Sequence, residues 1–568
     1  MPFNNNYHNL VSEKSQAHTR LIHDYQGQNK DFDFIIIGSG MGGGILADEL
    51  ADSSQNTKRI LVIDVGSFIY PTHVYNISRH SNEAVAPRFG VVNFNRDSES
   101  HGQLHISKEP QMALGGRSIF WSGLIPTPKT WECNFFPDEV KTELESNYFE
   151  AAGEKMNQSA SLGKFAEDVV KLFNKTDLAN DFDIEQTPRA VHQPYLYADG
   201  TPREKYFHEP TGVFNTAELL INQVGLTNDH TNFDGNGLFV KLNSFAESIT
   251  DTPEGWHKVT TTDTISGEQD HFYAPKVIIA AGSTESPKLI NRSSVFHRLP
   301  DNVKNNVGSG LTDHPVSSEA QIFAKKVIKR DTHGNVVEDL PIDLDDHAKI
   351  VFYSKGETEN GSIKYPFNIE LNINHEYWHL RNNDPTDGMP DVSHDDANKI
   401  RVDIKFSFAN LLDDNNRIYS HYNDGYKPYI KFSRWHKDHL LYDRFPKLSG
   451  WTKTESELRD LLLGIKDRIF NCFEIESYVT DPFYNYHWPF GYGTVHHACG
   501  SLRMPWKPDK NQGFNYNDSV VDTDLKVKAT SGLYVCDMSV MPISTAANPV
   551  RALAGLALRL SKHLLDNS

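Results

Sequence analysis

The chain has 568 residues, a formal charge of −19 and a hydrophobic content of 38%. That length exceeds one ordinary domain and that hydrophobic share can fill a large core, so two joined domains are expected and global disorder is excluded. The acidic balance argues against nucleic acid and anionic lipid as partners, and no apolar run reaches the roughly 18 residues that cross a bilayer.

Residues 1–30 are polar, rich in Asn and Gln, and read as an N-terminal arm. No apolar core follows a basic start, and no twin-Arg pair occurs. The expectation is a cytoplasmic protein, with export alongside a signal-bearing partner as the alternative. Residues 33–37 (DFIII) form a short apolar run, followed by glycines and then by the helical pattern ILADELAD; residues 59–63 (RILVI) form a second run. This order predicts a strand, a turn, a helix and a strand, hence a βαβ unit. The turn reads Gly38-Ser39-Gly40-Met41-Gly42-Gly43, a G-x-G-x-x-G directly after the strand. Gly38, Gly40 and Gly43 allow a tight turn and a close approach of backbone N–H groups to a pyrophosphate, at the positive end of the helix. Asp64 ends the next run about 20 residues on, where a carboxylate can accept from ribose hydroxyls.

Further along, residues 138–175 and 455–475 carry helical patterns, and 277–281 (VIIAA) reads as another buried strand closing on Gly282. From about 316 to 480 polar and apolar residues alternate, as in IKFSF and YIKFS, which predicts an antiparallel sheet in a second domain. Two acidic stretches, 338–346 and 382–396, read as loops interrupting that sheet, and one or the other is expected to cover the entrance to a site. Cys133, Cys472, Cys499 and Cys536 are scattered without metal-ligand spacing and read as free thiols, and no metal is expected. The nucleotide fold opens near residue 33 and its last piece comes from the C-terminal end. That long return suits a flavoprotein with an inserted substrate domain better than an NAD enzyme.

Five segments, in order, carry a family resemblance: the glycine loop; LGGRSIFWSG at 114–123; AAGSTESPKLI at 280–290; VGSGLTDHP at 307–315; and the block 497–558, with HACGSLRMP, VDTDLKV, LYVCDMSVMP and NPVRALAGLAL. Together they resemble the glucose–methanol–choline (GMC) oxidoreductases, and LGGRSIFW is most similar to the pyranose oxidase and glucoside 3-dehydrogenase branch. The resemblance implies an α/β FAD-binding Rossmann-like domain with an inserted α+β substrate domain on an antiparallel sheet. Its expected boundaries are 31–135, 196–315 and 485–568 for the FAD-binding domain, and 136–195 and 316–484 for the substrate domain.

The implied activity is FAD-dependent oxidation of a secondary alcohol on a sugar or glycoside ring to the ketone. A non-sugar alcohol, or a lyase on the same fold, is the alternative. The implied catalytic residues are His497, as the base in His497-Ala498-Cys499-Gly500-Ser501, and Asn548, as the partner that orients the substrate oxygen. Asn548 is also expected to cap the last helix with Pro549 at its first position, so that the positive helix end faces the flavin. His496, one residue early in the frame, is expected to pack rather than react. Cofactor contacts are implied for Gly115, Gly116, Ser118 and Asp537, besides the glycine loop, Asp64 and Pro549. Phe120 stands where pyranose oxidases carry the histidine that tethers flavin, so FAD is expected to be non-covalent. Pro505, where many members have Gly, departs from the family pattern. The electron acceptor is left open among oxygen, a quinone and a haem partner.

Overall fold

The runs at 34–37 and 59–63 keep no polar face, which is what a strand covered on both sides requires. The computed structural model describes residues 24–68, 95–96, 112–159, 163–191, 212–227, 233–313, 316–317, 320–344, 346–355, 367–374, 399–420, 428–431, 455–480, 497–509 and 511–567. In it these runs form the strands Phe34–Ile37 and Arg59–Ile63, buried throughout and paired in parallel from Phe34 with Ile60 to Ile37 with Ile63. Three more parallel strands complete the sheet, in the order Leu533–Val535, Lys276–Ile279, Phe34–Ile37, Arg59–Ile63, Gly237–Lys241. The helix Met41–Ser53 follows the first strand, and the C-terminal helix Val550–Asp566 packs against it. The nucleotide-fold sheet therefore joins strands from both ends of the described chain.

The second sheet is antiparallel and runs Val336–Pro341, Ala320–Arg330, Arg401–Phe408, Phe367–Ile373, Ala348–Ser354, Phe182–Gln186, with Phe473–Thr480 also paired to Ala320–Arg330. Alternation gives it two unlike faces. Ile350, Phe352, Phe367, Ile369, Ile404 and Phe406 share a core with residues of the helices Lys164–Phe173 and Glu455–Phe470. The intervening positions carry Lys349, Asn368, Glu370, Asn372, Asp403 and Ser407, all buried. Asn372 Nδ2 donates to Asp403 Oδ1 at 2.6 Å, and Lys405 Nζ lies 3.1 Å from Glu370. No helix of the described residues is long and apolar enough to cross a membrane.

Three expectations differ from the structure. Within the arm assigned to 1–30, residues 24–30 are part of the fold: Tyr25 is 1% exposed and sits among Phe32, Phe233 and Phe239, with the Arg59 guanidinium donating to its hydroxyl. Residues 1–23 lie outside the described residues. Residues 136–156, assigned to the substrate domain, instead put Phe136, Val140, Leu144, Phe149 and Ala152 into the core of the nucleotide fold. Their helical stretch packs on the C-terminal helix. Finally, the acidic stretch 338–346 is not all loop. Its first half is the edge strand Val336–Pro341, held by cross-strand pairing and by Lys326 Nζ at 2.6 Å from Asp339. The stretch 382–396 lies outside the described residues.

The helix Phe149–Lys155 is fastened to the helix Met41–Ser53 by one cation. Lys155 Nζ lies 2.6 Å from Asp48, 3.0 Å from Glu49 and 3.2 Å from Asp52. Asp48 is buried, and that burial pushes its carboxyl up to about 6 despite the ammonium beside it. Lys155→Met leaves Asp48 buried without its counter-charge, and breaking such a pair costs about 3 kcal/mol. The expected outcome is a lower urea midpoint at neutral pH; an unchanged midpoint means that the pair is energetically neutral.

Candidate dinucleotide and active site

The glycine loop is shaped by close approaches that only glycine allows. Gly38 has φ +108°, and a Cβ there would stand 2.3 Å from the Ala280 carbonyl oxygen. A Cβ at Gly43 would stand 2.0 Å from the Gly38 oxygen, so this glycine lets the helix start tightly against the strand. Gly40 is different. Its φ is −64°, and a Cβ there would meet nothing within 4 Å.

Asp64 fixes the loop from the neighbouring strand. Its Oδ2 accepts the Ser39 N–H at 2.9 Å and the Ser39 hydroxyl, and its Oδ1 accepts the Gly66 N–H at 2.7 Å. Burial pushes this carboxyl up, and the bonds from Ser39 and Gly66 oppose that shift. Ser39 then reaches the next segment, since its Oγ accepts the Gly115 N–H at 2.9 Å. Gly115 has φ +86°. The Ser118 Oγ donates to the Gly115 oxygen at 2.6 Å and accepts the Thr216 N–H at 2.9 Å. Ser118 thus ties LGGRSIFW to the helix Thr216–Thr227.

A cavity of about 530 Å³ opens beside this loop. Gly38, Gly40, Asp64, Gly116 and Ser118 line it, as do Asp537, Pro549, His497 and Asn548. Gly43 and Gly115 are not in its wall and act from behind it. Asp537 is a second buried carboxylate, accepting the Gly282 N–H at 2.9 Å, the Ser286 hydroxyl and the Ser539 N–H at 2.8 Å. Burial raises its pKa and these donors oppose the rise. His497 is half-buried, and the backbone after it is pinned. Ser283 Oγ donates to the Ala498 oxygen at 2.6 Å, and Cys499 and Thr312 exchange backbone bonds at 2.8 and 3.0 Å. His496 lies outside the described residues. Phe120 also lines the cavity, beside Trp121, whose Nε1 donates to the Phe214 oxygen at 2.7 Å.

The capping expectation is corrected. The first helical bond runs from the Leu553 N–H to the Pro549 oxygen at 3.0 Å, and Pro549 already has φ −78° and ψ −5°. Pro549 is therefore the cap residue, and Asn548 precedes it. Sequence reasoning also missed Glu132, whose fully buried side chain accepts the Ala547 N–H at 3.1 Å next to Asn548. An acidic residue in a short, Trp-containing stretch carries no sign of that distant partner.

Residues 478–557 match the family model described as GMC oxidoreductase. A curated relative, the oxidoreductase cicC of Emericella nidulans, is 40% identical over 75 residues, which are 13% of this chain and 11% of that protein's length. Among solved structures, pyridoxine 4-oxidase from Mesorbium loti superposes with a TM-score of 0.56 at 14% identity, over 94% of this chain and 99% of that one. A variant of Aspergillus oryzae formate oxidase, studied for FAD modification, gives a TM-score of 0.58 at 14% identity, over 95% and 99%. At these identities the structural likeness establishes the fold.

The residues present fit FAD. Gly40, Met41 and Gly42 line the cavity at a helix start, where N–H groups have no partner within the helix. Gly40 leaves open the space a methyl would fill. Gly40→Ala is expected to fold normally yet weaken FAD binding about 10- to 100-fold, as overpacking by one methyl costs roughly 1–3 kcal/mol. Gly43→Ala, by contrast, is expected to lower the melting temperature. Flavin absorbance per mole of purified protein, read beside a thermal melt, checks both; full FAD retention in Gly40→Ala sinks this placement of the cofactor.

Proposed function

We propose that this chain is a GMC oxidoreductase and that it oxidises an alcohol carbon to a carbonyl with bound FAD as the electron acceptor. One observation carries the reading: His497 and Asn548, from separate segments, line the same cavity as the glycine loop and Asp537. FAD held by the glycine loop, Asp64 and Asp537 would supply a two-electron, hydride-accepting centre. His497 takes the hydroxyl proton as the carbinol C–H pair departs as hydride and the C–O bond becomes C=O. A histidine suits this because imidazole can accept a proton near neutral pH and later release it. The Asn548 amide holds the substrate oxygen without competing for that proton. The pinned backbone of Ala498 and Cys499 keeps the base in place.

FAD is held without a covalent bond, because Phe120 occupies the tethering position with a ring that forms no such link. The substrate is a secondary alcohol of a sugar or glycoside. The resemblance of LGGRSIFW to the sugar-oxidising branch supports this.

Denaturing the purified protein is expected to release all of the flavin; colour remaining in the precipitate contradicts the non-covalent claim. Anaerobic stopped-flow reduction by the best alcohol isolates the hydride step from the physiological acceptor. That alcohol is found by screening sugars, glycosides and simple alcohols, with oxygen and an artificial acceptor in parallel. His497→Ala is expected to slow reduction by about 10² to 10⁴, the usual range for loss of a general base. The variant should keep its FAD, since the nucleotide grip uses other residues. His496→Ala serves as the control, and the frame is off by one residue if it is crippled while His497→Ala is not.

A further inference from the structure

Glu132 is fully buried in a single helical turn, Thr130–Cys133. Burying a carboxylate is costly unless hydrogen bonds compensate it, and here burial pushes the group up to about 7. Its Oε1 accepts the Lys129 N–H at 3.1 Å and closes its own turn. Its Oε2 faces the far end of the chain and accepts the Ala547 N–H at 3.1 Å, with the Ala546 N–H also in reach. A turn closed by Oε1 alone needs no second acceptor, so the Oε2 contact requires another explanation.

The segment it holds is fixed from every side. Thr545 Oγ1 donates to the Ala547 oxygen at 2.6 Å. Asn410 and Ser544 exchange backbone bonds at 2.8 and 3.0 Å. With its amide turned so that both ends are satisfied, Asn368 of the second sheet also accepts the Ala547 N–H, at 3.2 Å. The next residue is Asn548, half-buried in the cavity wall. Glu132 supplies the carboxyl acceptor in this set, with one oxygen on the Lys129 N–H and the other on the Ala547 N–H.

We propose that Glu132 is a positioning residue whose carboxylate clamps the Ala546–Ala547 backbone and so holds Asn548 in one orientation toward the cavity. The proposal rests on the reading of Asn548 given above. Glu132 touches neither substrate nor cofactor and acts through its neighbour.

The test uses the FAD-loaded full chain and the variants Glu132→Gln, Glu132→Asp, Asn548→Ala and the double variant E132Q/N548A. Glu132→Gln turns an NH₂ toward at least one N–H group, and Glu132→Asp falls one methylene short. Two measurements are made: the limiting rate of anaerobic flavin reduction by the best alcohol, and hydrogen–deuterium exchange of the peptide covering 543–548. Glu132→Gln is expected to slow limiting reduction about 10- to 100-fold, the scale set by a misplaced group, with FAD content kept. In the Asn548→Ala background the same change is expected to add less than about twofold, because a residue acting through Asn548 has nothing left to position. Exchange of 543–548 is expected to rise in both Glu132 variants. Multiplying rate losses in the double variant overturn the proposal, as does unchanged exchange in whichever Glu132 variant folds. The exchange result judges the clamp whatever the substrate. A wild-type rate in Asn548→Ala, with exchange still raised by Glu132→Gln, shows instead that the reading of Asn548 is the part at fault.

Discussion

One buried carboxylate organises the nucleotide site. Asp64 ends a strand of the parallel sheet and accepts donors from Ser39 and Gly66. Ser39 is thereby held in the bend of the glycine loop, where its hydroxyl takes the Gly115 N–H and its carbonyl takes the Thr216 hydroxyl at 2.8 Å. Strand, loop, the 113–119 segment and a helix meet on two residues. The meeting point lies outside the carboxyl ends of parallel strands, where open α/β sheets bind ligands. Asp64 thus adds side-chain bonds to the backbone bond that already ties Gly38 to Ile63.

Asp537 does comparable work on the opposite side. It joins the first turn of the helix Gly282–Arg292, through Gly282 and Ser286, to the short turn at Ser539. The cavity therefore has two anchored walls, each built on a carboxylate whose charge is satisfied by protein donors before any ligand arrives. Such preorganisation lowers the cost of ordering the site on binding. Just beyond the strand Arg401–Phe408, Asn410 exchanges backbone bonds with Ser544 and so ties the second sheet to the segment that leads into Asn548.

Much of this was legible in the chain. The runs DFIII and RILVI, the glycine spacing and VIIAA named their strands because buried parallel strands have short, continuous apolar signatures. The alternation around IKFSF gave the two-faced sheet for the complementary reason. What escaped depends on tertiary partners. Tyr25 stands in a polar stretch, and its burial is decided by Phe32, Phe233, Phe239 and Arg59, none of which is encoded nearby. Residues 136–156 are helical by pattern, but which core they face is set by the C-terminal helix. The cap fell on Pro549 rather than Asn548 because a proline with helical backbone angles can accept the first bond itself. Glu132 was invisible because its partner lies at the far end of the chain.

The sheet order carries a consequence for the birth of the protein. Leu533–Val535 pairs with Lys276–Ile279, which pairs with Phe34–Ile37, so contacts of very high sequence separation close the nucleotide fold. During synthesis the glycine loop is made long before Leu533–Val535, and its sheet is whole only once that strand is made. In the interval Lys276–Ile279 presents an unpaired apolar edge, the kind of template that invites association with other chains. High contact order of this sort slows folding. Until Leu533–Val535 is made, that edge stays open to pairing with other chains.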